Sequence, residues 1–535
     1  MTGRADVAGT TGSVLIVGAG PTGLTLACDL ARRGVGVRIV EKSPQLPRSS
    51  RAKGPNPRSL EVLEDLGVLE RVLAAGSTPL VMRKYRDAVA VADADPYAAQ
   101  RPTPAAPYDR GWLMAQWRLE EILRERLAEF GATVELDTEI TSYEHRGHAG
   151  DGPDPDSGGR IVARTARGTY IEADYLVGCD GGHSTVRKLM GATFEGTTHA
   201  EQVMVNGDVE LSGAEGLSRD HWHQWFDEDG AVMLCPIPGT ERSWWYQAGP
   251  ERAPDGTLLP PSREGCQRTL DRHARLDGVR VSDAALLSTY RVNVRMVDRY
   301  REGRALLAGD AAHVHPIAGG LGMNTGIQDA FNLGWKLAAV LTGQAGAALL
   351  DTYEEERLPV AAWTLDTSSK RLGDVLAAIR EPGGGLDAGI TEETTALGLG
   401  YRWSSLSRRT GGPDTGLRPG DRAPDAPCHA TGTGTPTRLF DVFAGPHFTL
   451  LGFGAGATGA LAAVAARTAG GVAVRTCAVD AGPGTGLADT GGHARAAYGV
   501  KGDALVLVRP DNHVALFTTA DDSAGVLDYL RGLGR

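Results

Sequence analysis

The sequence of 535 residues predicts an α/β protein in which a parallel-sheet unit, an antiparallel sheet and a smaller αβ unit follow one another. Three observations predict this arrangement. Residues 14–41 combine two short apolar runs with a glycine turn and a helical pattern between them, as in a parallel βαβ unit. Residues 195–300 alternate apolar and polar side chains with little helical pattern, which is typical of an antiparallel sheet. Residues 438–535 form a compact αβ tail, so the length is shared among two or three domains.

The domain boundaries follow from where these patterns change. Arg304–Gly309 has the pattern of a buried strand, and a helix from about Asn324 to Leu341 follows it, so we expect the chain to return there to the first unit. The predicted units are a discontinuous first domain (1–190 and 301–380), an antiparallel-sheet domain (191–300), a linker rich in Gly, Pro and Thr (381–437) and a C-terminal domain (438–535).

Composition excludes several classes of function. A net charge of −11 argues against nucleic acid and anionic lipid as partners. The six cysteines are scattered without CxxC spacing, so we expect neither a zinc site nor a dithiol redox site. The N-terminal segment lacks the apolar core of a secretory signal, and the best apolar stretch, 333–350, is broken by Lys336 and Gln344. These features predict a cytoplasmic protein with no metal and no membrane partner.

The glycine turn after the first apolar run is the strongest motif. Gly18 permits a tight turn, Gly20 lets the backbone approach a pyrophosphate, and Gly23 lets a helix pack on the strand. Pro21 stands in the first helical turn, where its missing N–H costs no hydrogen bond. Glu41 ends the second strand, where a carboxylate can bind the ribose of adenosine. Together these features predict a dinucleotide site.

Two later segments complete this site. In residues 175–187 an apolar strand runs into Asp180 and Gly181. In residues 305–336 a strand ends at Gly309 and Asp310, a loop rich in Pro and Gly follows, and a helix begins near Asn324. Asp310 can bind the hydroxyls of a polyol such as ribitol, and the loop can lie flat against a planar ring. The free N–H groups and the dipole of the helix suit the N1–C2 edge of a flavin.

These three segments, in this order, resemble the group A flavoprotein monooxygenases of the para-hydroxybenzoate hydroxylase type. The resemblance covers residues 13–370 and includes SRAKGPNPRSLEVLEDLGV (50–68) and GWLMAQWRLEEIL (111–123). The tail, with GDRAPDAP (420–427), RLFDVF (438–443) and LVLVRPDNHVALF (505–517), resembles the thioredoxin-like domain of the members that hydroxylate aromatic polyketides. The resemblance implies a Rossmann-like FAD-binding domain, an antiparallel substrate domain and a thioredoxin-like C-terminal domain.

The resemblance also implies a set of residues that bind FAD tightly without a covalent bond. They are Gly18, Gly20, Pro21, Thr22, Gly23, Glu41, Lys42, Arg51, Gln116, Asp180, Gly181, Gly309, Asp310, Pro316, Gly320, Gly322, Met323 and Asn324.

The implied reaction is insertion of one oxygen atom from O2 into a polycyclic aromatic polyketide. In the family, NADPH or NADH reduces FAD, and O2 adds at flavin C4a to give a hydroperoxide that must be kept from water. Baeyer–Villiger oxidation, oxidative rearrangement and antibiotic inactivation use the same cofactor chemistry and stay open. A more remote alternative is an FAD-dependent reductase that does not activate O2. Relatives are often monomers or homodimers.

The sequence does not identify a catalytic residue. Five side chains are candidates for contact with the substrate or for help in deprotonating a phenol: His221, His223, Tyr246, Trp112 and Arg83. His313 and His315 could ligate a metal, but no third ligand is evident and local hydrogen bonding is favoured. A second GxGxxG at Gly454–Gly459, with Asp480 after it, is a weaker nucleotide motif because Gly and Ala are abundant in this tail.

Overall fold

The computed structural model describes residues 12–147, 159–410, 416–468, 472–482 and 486–534. Most of the N-terminal segment that we interpreted as lacking a signal sequence falls outside these ranges.

The strands are, in chain order, β1 (Ser13–Val17), β2 (Gly36–Val40), β3 (Val81–Arg86), β4 (Val89–Ala94), β5 (Val134–Glu135), β6 (Ile140–Arg146), β7 (Arg160–Thr165), β8 (Tyr170–Ala173), β9 (Tyr175–Gly178), β10 (Glu195–Ser212), β11 (His221–Asp227), β12 (Gly230–Pro236), β13 (Ser243–Ala248), β14 (Arg280–Met296), β15 (Arg301–Glu302), β16 (Ala305–Leu307), β17 (His313–Val314), β18 (Arg408–Arg409), β19 (Pro427–Ala430), β20 (Pro436–Arg438), β21 (Phe448–Phe453), β22 (Val474–Val479), β23 (Leu487–Ala488), β24 (Ala504–Val508) and β25 (Val514–Thr519). The helices are α1 (Pro21–Arg32), α2 (Pro57–Asp65), α3 (Leu69–Ala74), α4 (Gln116–Glu129), α5 (Thr185–Leu189), α6 (Arg263–His273), α7 (Gly322–Leu341), α8 (Asp351–Ala378), α9 (Leu439–Phe443), α10 (Thr458–Thr468), α11 (His493–Tyr498) and α12 (Ser523–Gly532).

The first domain is built on a mainly parallel sheet with the strand order β15-β16-β9-β1-β2-β5, in which the short edge strand β15 is antiparallel to β16. β1 lies in its middle, with Ile16 beside Ile39 of β2 and Val177 of β9, and these apolar side chains are fully buried. β16 comes from the later part of the chain and pairs in parallel with β9 of this sheet. Helices α1 and α7 pack against each other and contribute to the same core.

The second sheet, called here the central sheet, has the order β17-β14-β10-β13-β12-β11-β3-β4. β10 and β14 form its long antiparallel pair. β3 and β4 also belong to it, because β3 pairs in parallel with β11. Residues 81–94 therefore leave the first domain, and the predicted division at 190 is wrong for this hairpin. The sequence pattern of a short strand does not reveal its partner across more than a hundred residues.

The C-terminal sheet has the order β18-β25-β24-β21-β22-β23-β19-β20. β21 and β22 are parallel with α10 between them, and β24 and β25 follow as an antiparallel hairpin next to β21. This is the arrangement of a thioredoxin-like core. The strands β18, β19 and β20 come from the predicted linker, so the boundary at 438 is too late.

The first part of the predicted linker, residues 381–397, covers the central sheet instead of spanning open space. Lys84 Nζ donates to Gly383 O at 2.7 Å, and Gln224 accepts from Leu386 N at 3.1 Å. Asn56 reaches Thr394 O at 3.1 Å. We call residues 381–397 the covering segment.

None of the helices in the described ranges is long and apolar enough to cross a bilayer.

Candidate active site

The dinucleotide motifs meet where three neighbouring parallel strands end. β1, β9 and β16 lie side by side and point the same way, so their carboxyl ends share one edge of the sheet. Gly18, Asp180 and Asp310 follow these ends. Ligands of open parallel sheets bind at this edge.

The glycines of the site fall into two groups. Gly18 has a φ of +104°, and a Cβ there would lie 2.4 Å from Cys179 O, while a Cβ on Gly23 would lie 2.1 Å from Gly18 O. These two glycines are needed for the turn and for packing. Around Gly20, Gly181 and Gly320, a Cβ would meet no protein atom within 4 Å. These three border open space, as expected if a ligand approaches the backbone there.

The start of α1 offers free backbone donors to this space. Gly20 caps the helix without a side-chain hydrogen bond, and Pro21 occupies the first helical position. Unsatisfied N–H groups at a helix start bind phosphate. Thr22 Oγ1 faces away from the opening, since it would lie 2.6 Å from a Cβ on Gly309 and 2.3 Å from one on Gly326. Thr22 therefore holds α1 close to α7.

Glu41 lies beside the glycine turn. Its carboxylate accepts from Ala19 N at 3.2 Å and from Ser43 N at 3.0 Å. This places an acceptor at the end of β2, the position that suits an adenosine ribose. Lys42 is exposed.

The Arg51 segment reaches the site through α4. Gln116 Oε1 accepts from Ala52 N at 3.1 Å, and its Nε2 donates to Glu120 at 2.8 Å. Burial raises the pKa of Glu120 to about 7. Gln116 thus fixes the backbone next to Arg51, whose side chain is exposed.

Asp310 lies in a concave part of the same edge. Its side chain is open to solvent, yet surrounding protein raises the pKa of its carboxyl, and His313 and Arg51 oppose that rise. The Arg51 and Asp310 segments are therefore neighbours across the cleft. A carboxylate that faces a cleft can accept hydrogen bonds from a polyol.

The Asp180 carboxylate is hydrogen-bonded to its own segment of the protein. Its carboxylate accepts from Ser184 Oγ and from the N–H groups of Thr185 at 2.7 Å and Val186 at 3.1 Å, at the start of α5. Arg187 joins this segment to the next one, because it donates to Gly182 O at 2.8 Å and to Ala311 O at 2.9 Å. Asp180 supports the shape of the edge while Gly181 faces the opening.

A buried network holds the backbone beside Asp310. Asp329 on α7 accepts from Gly309 N at 3.0 Å, from His313 Nε2 at 2.8 Å and from Arg357 Nε at 2.6 Å. These ion-pair and hydrogen-bond partners lower the pKa of Asp329 despite its burial. His315 contacts Pro316 O at 3.1 Å. Both histidines therefore make local hydrogen bonds.

The loop 315–321 leads into α7 at Gly322. Gly319 and Gly320 have φ values of +78° and +64°, which let the loop turn sharply before the helix. Asn324 fixes it: Nδ2 donates to Gly320 O at 2.7 Å, and Oδ1 accepts from Asn56 N at 2.8 Å. Pro316 is buried, whereas Gly322 and Met323 are partly accessible.

One face of the central sheet looks toward these elements. Alternation along each strand places Trp222, Cys235, Trp245 and Asp208 on it. Trp245 and Cys235 pack with Leu113 and Ala115, and Trp222 and Trp117 lie at the edge of the same cluster. Lys53, two residues after Arg51, lies within 6 Å of both the Trp222 and Trp245 rings.

Four of the five catalytic candidates do not lie on this face. His223 is bonded to Tyr85 Oη at 2.8 Å and Ser218 O at 2.7 Å, and burial lowers its pKa to about 4. Tyr246 packs with α6 in the core behind the sheet, and burial raises its pKa. Arg83 pairs with Asp93 at 2.8 Å on an exposed edge.

The remaining two candidates differ from each other. His221 lies 3.8 Å from Asp93 on the same rear side as His223. Trp112 packs against the first core, and its buried indole N–H has no hydrogen-bond partner in the described residues. The two-residue alternation separates odd from even positions in the sequence, but it does not say which set faces the flavin motifs.

The second glycine turn is filled by the chain itself. The Asp503 carboxylate accepts from Gly456 N at 2.8 Å, and a Cβ on Gly454 would overlap it. Asp480 accepts from Asp489 N at 2.8 Å and Arg495 Nε at 3.0 Å. A carboxylate stands where a phosphate would have to bind.

One group of three side chains in the described ranges has metal-ligand spacing: Asp227, Asp229 and His273. His273 Nδ1 is bonded to Asp227 at 2.8 Å, and Arg272 pairs with Asp229. Their ligand atoms are engaged in an ion-pair cluster away from the flavin motifs.

Sequence reasoning missed Lys53, Asp208, Asp329 and the covering segment. Lys53 lies within a motif that the resemblance already covers, so its proximity to Arg51 was a usable signal. The contacts of Asp329 and of residues 381–397 join segments far apart in the chain, and no local pattern marks them.

The residues at this sheet edge fit FAD, because open glycine backbone, a helix start without a side-chain cap and a cleft-facing carboxylate lie along it. The family model "FAD binding domain" matches residues 11–368, and "Aromatic-ring hydroxylase, C-terminal" matches 417–532. A flavin-dependent monooxygenase of Mycobacteroides abscessus is 39% identical over 97% of this chain and 99% of its own. The aklavinone 12-hydroxylase of Streptomyces purpurascens is 34% identical over 98% of each chain.

A solved structure of aklavinone-11 hydroxylase with FAD and aklavinone has a TM-score of 0.81 at 30% identity and covers 98% of this chain and 99% of its own. Together with the geometry of the sheet edge, these matches show that the chain belongs to the FAD-dependent aromatic-ring monooxygenases.

Proposed function

We propose that this monooxygenase inserts one oxygen atom from O2 into a polycyclic aromatic polyketide, with NADPH or NADH as electron donor. The observation that carries the substrate class is the indole-bearing face of the central sheet, opposite the flavin motifs. Trp222 is partly accessible there, Trp245 is buried behind it against Leu113 and Ala115, and the covering segment closes over the neighbouring strands. Flat aromatic rings bury well against indole.

The residues that would hold FAD can be assigned by position. Backbone N–H groups at Gly20 and the start of α1 suit the pyrophosphate, and Glu41 suits the adenosine ribose. Arg51 suits the phosphates and Asp310 the ribitol. The start of α7 suits the N1–C2 edge of the ring. When bound, FAD supplies hydride acceptance from the nicotinamide and activation of O2.

The protein's own task at the reacting ring is to exclude water and fix the substrate. Cys235, Trp245 and Leu113 form an apolar wall. Lys84 on β3 pairs with Asp387 at 2.7 Å and holds the covering segment against the sheet. No side chain has to supply a nucleophile for this chemistry.

Aklavinone, named in one relative and in one solved complex, supports a fused-ring substrate. The alternatives to hydroxylation are those that the sequence left open. Baeyer–Villiger insertion, oxidative rearrangement or antibiotic inactivation would each use this site.

The deciding experiment is NADPH and NADH oxidation by the purified holoenzyme, with and without a panel of polycyclic phenols, with product mass recorded. We expect a ligand-stimulated rate and a gain of one oxygen atom. Product NMR would separate a hydroxyl from a ring-inserted oxygen. A rate that no aromatic ligand stimulates would contradict the proposed substrate class.

The finer expectations of a cytoplasmic location and a monomeric or homodimeric state belong to the same proposal. The net charge of −11 supports the absence of a nucleic-acid partner. Sedimentation of the holoenzyme tests the oligomeric state.

A further inference from the structure

Lys53 is held by a rigid piece of backbone between the flavin motifs and the central sheet. Its carbonyl accepts from Met114 N at 3.0 Å. Gly54 has a φ of +135°, and a Cβ there would lie 1.8 Å from Trp112 O, so only glycine fits at this point of the backbone. Asn324 at the start of α7 accepts from Asn56 N at 2.8 Å. The position of Lys53 is thus tied to that of the flavin loop.

The amine of Lys53 faces aromatic surface. Nζ lies 5.5 Å from the ring centroid of Trp222 and 5.6 Å from that of Trp245. In the described ranges no hydrogen bond or ion pair is formed by this amine. A cation against indole faces gains some attraction from the rings but keeps its capacity for an anionic partner.

The groups that face Lys53 in the described residues form no ion pair with its amine, although the Asp208 carboxylate is near enough to favour the charged amine. From β10, Asp208 accepts from Ser50 N at 2.9 Å, and burial raises its pKa to about 6. From β12, burial raises the pKa of the Cys235 thiol to about 12, so it is neutral. The neighbouring strands β11 and β13 contribute the two neutral indoles.

Burial also lowers the pKa of Lys53 itself, with Cys235 and Asp208 opposing the change. Lys84 lies on the same sheet face but is already paired with Asp387. Lys53 is therefore the amine of this face that can take an anion without breaking an existing ion pair.

We propose that Lys53 is a specificity-determining residue that binds an ionised oxygen of the substrate, a phenolate or an enolate, while the substrate rings lie against the accessible part of Trp222. This inference rests on the proposed function and narrows its substrate class to aromatics with an acidic hydroxyl. When the amine is neutral, the phenol O–H bond breaks and an N–H bond forms, which leaves an ammonium–phenolate pair. When the amine is already protonated, the phenol proton passes to solvent.

An ionised ring oxygen also makes the ring carbons more electron-rich. Because the reaction transfers oxygen to an electron-rich carbon, the bound phenolate is the more reactive form. Lys53 would select and orient this form beside the flavin motifs.

The test uses alizarin, a polycyclic phenol whose absorption moves to longer wavelength on ionisation, titrated into the oxidised holoenzyme without nicotinamide. Wild type should bind it as the anion at a pH where free alizarin is mainly neutral. Lys53→Met should bind the neutral form and lose about tenfold in affinity, the factor of one pKa unit. Lys53→Arg should restore the anionic spectrum, and Lys501→Met, at an exposed lysine of the C-terminal domain, should match wild type.

Neutral alizarin in wild type, an anionic spectrum in Lys53→Met, or no binding of alizarin by wild type would each overturn the inference. FAD content and circular dichroism check that the variants fold, and Lys53→Gln replaces the methionine variant if that one does not. Product mass from the phenol panel reports separately on the proposed function. Oxygenation without any spectral effect of Lys53→Met would leave the function standing and remove the role of Lys53.

Discussion

Arg509 donates from both terminal nitrogens to the Glu356 carboxylate, at 2.5 and 2.9 Å, and neither side chain is exposed. Arg509 follows β24 of the C-terminal sheet, whereas Glu356 lies on α8 of the first domain. Lys336 on α7 reaches the same carboxylate at 2.7 Å, and Asp511 pairs with Arg509. This buried network joins the C-terminal domain to the helix that begins at the flavin loop.

Glu356→Gln should lower the free energy of unfolding by about 3–5 kcal/mol, because the buried Lys336 would lose its ion-pair partner and the buried Arg509 would keep only Asp511. Urea unfolding followed by circular dichroism measures the change. The exposed pair Arg531–Asp528, at 2.9 Å, provides the control, and Asp528→Asn should change stability by less than about 1 kcal/mol. Equal effects of the two substitutions would contradict a structural role of the network.

Gly20→Ala should separate ligand binding from folding. Gly20 has a φ of −77°, and a Cβ there meets no protein atom, so alanine should fold normally. The methyl group would enter the space assigned to the pyrophosphate, and we expect FAD affinity to fall about tenfold or more. Fluorescence titration with FAD measures it. Gly18→Ala, which would collide with Cys179 O, should instead destabilise the apoprotein.

Asp329→Asn should weaken FAD binding without touching the cofactor. The substitution replaces the carboxylate that accepts from Arg357 and His313 by a neutral amide. The Gly309 N–H also loses its anionic acceptor. A hydrogen bond to a charged group contributes about 1.5–3 kcal/mol, so the FAD dissociation constant should rise about tenfold or more. An unchanged dissociation constant would show that Asp310 is positioned without this network.

Asp387→Asn should increase the release of hydrogen peroxide by the enzyme. Without the 2.7 Å ion pair to Lys84, the covering segment should open more often and admit water. We expect the hydrogen peroxide released per NADPH consumed to rise about twofold or more in the presence of substrate. Arg83→Met, which breaks the Asp93 pair on the exposed side of the same strand, is the matched control and should leave this ratio unchanged.

Three buried neutral histidines should make the protein less stable as the pH falls. Burial lowers the pKa of His223, His315 and His513 to about 4. In the unfolded chain these groups titrate near the usual pKa of about 6.5, so the unfolded state binds more protons between pH 6.5 and 4.

The free energy of unfolding should therefore fall as pH falls through this window, by as much as about 3 kcal/mol for each site. Urea unfolding at several pH values across the window measures the slope, and His513→Asn should reduce it. Because the raised pKa values of Glu120 and Asp208 act in the opposite direction in this window, the comparison with His513→Asn decides. Equal slopes for wild type and His513→Asn would contradict the burial of a neutral histidine there.

The structure shows which parts of the site a local pattern can predict. Apolar periodicity predicts the strands of residues 14–41, and steric demands that only glycine meets predict Gly18 and Gly23 between them. The βαβ unit could therefore be predicted from the sequence. The order of the three motifs placed Asp180 and Asp310 at neighbouring strand ends. It could not show that the Asp180 carboxylate accepts hydrogen bonds at the start of α5 while Asp310 stays open to the cleft.

The sequence by itself determined the fold class, the dinucleotide motif and the family, because each depends on residues close together in the chain. The tertiary structure decided which face of the central sheet meets the flavin motifs and thereby set His223 and Tyr246 behind it and Lys53 in front. It also decided that residues 381–397 cover the site and that Asp503 fills the second glycine turn. These outcomes depend on strand pairing and packing across hundreds of residues, where side-chain partners are chosen by the whole fold and leave no local signal.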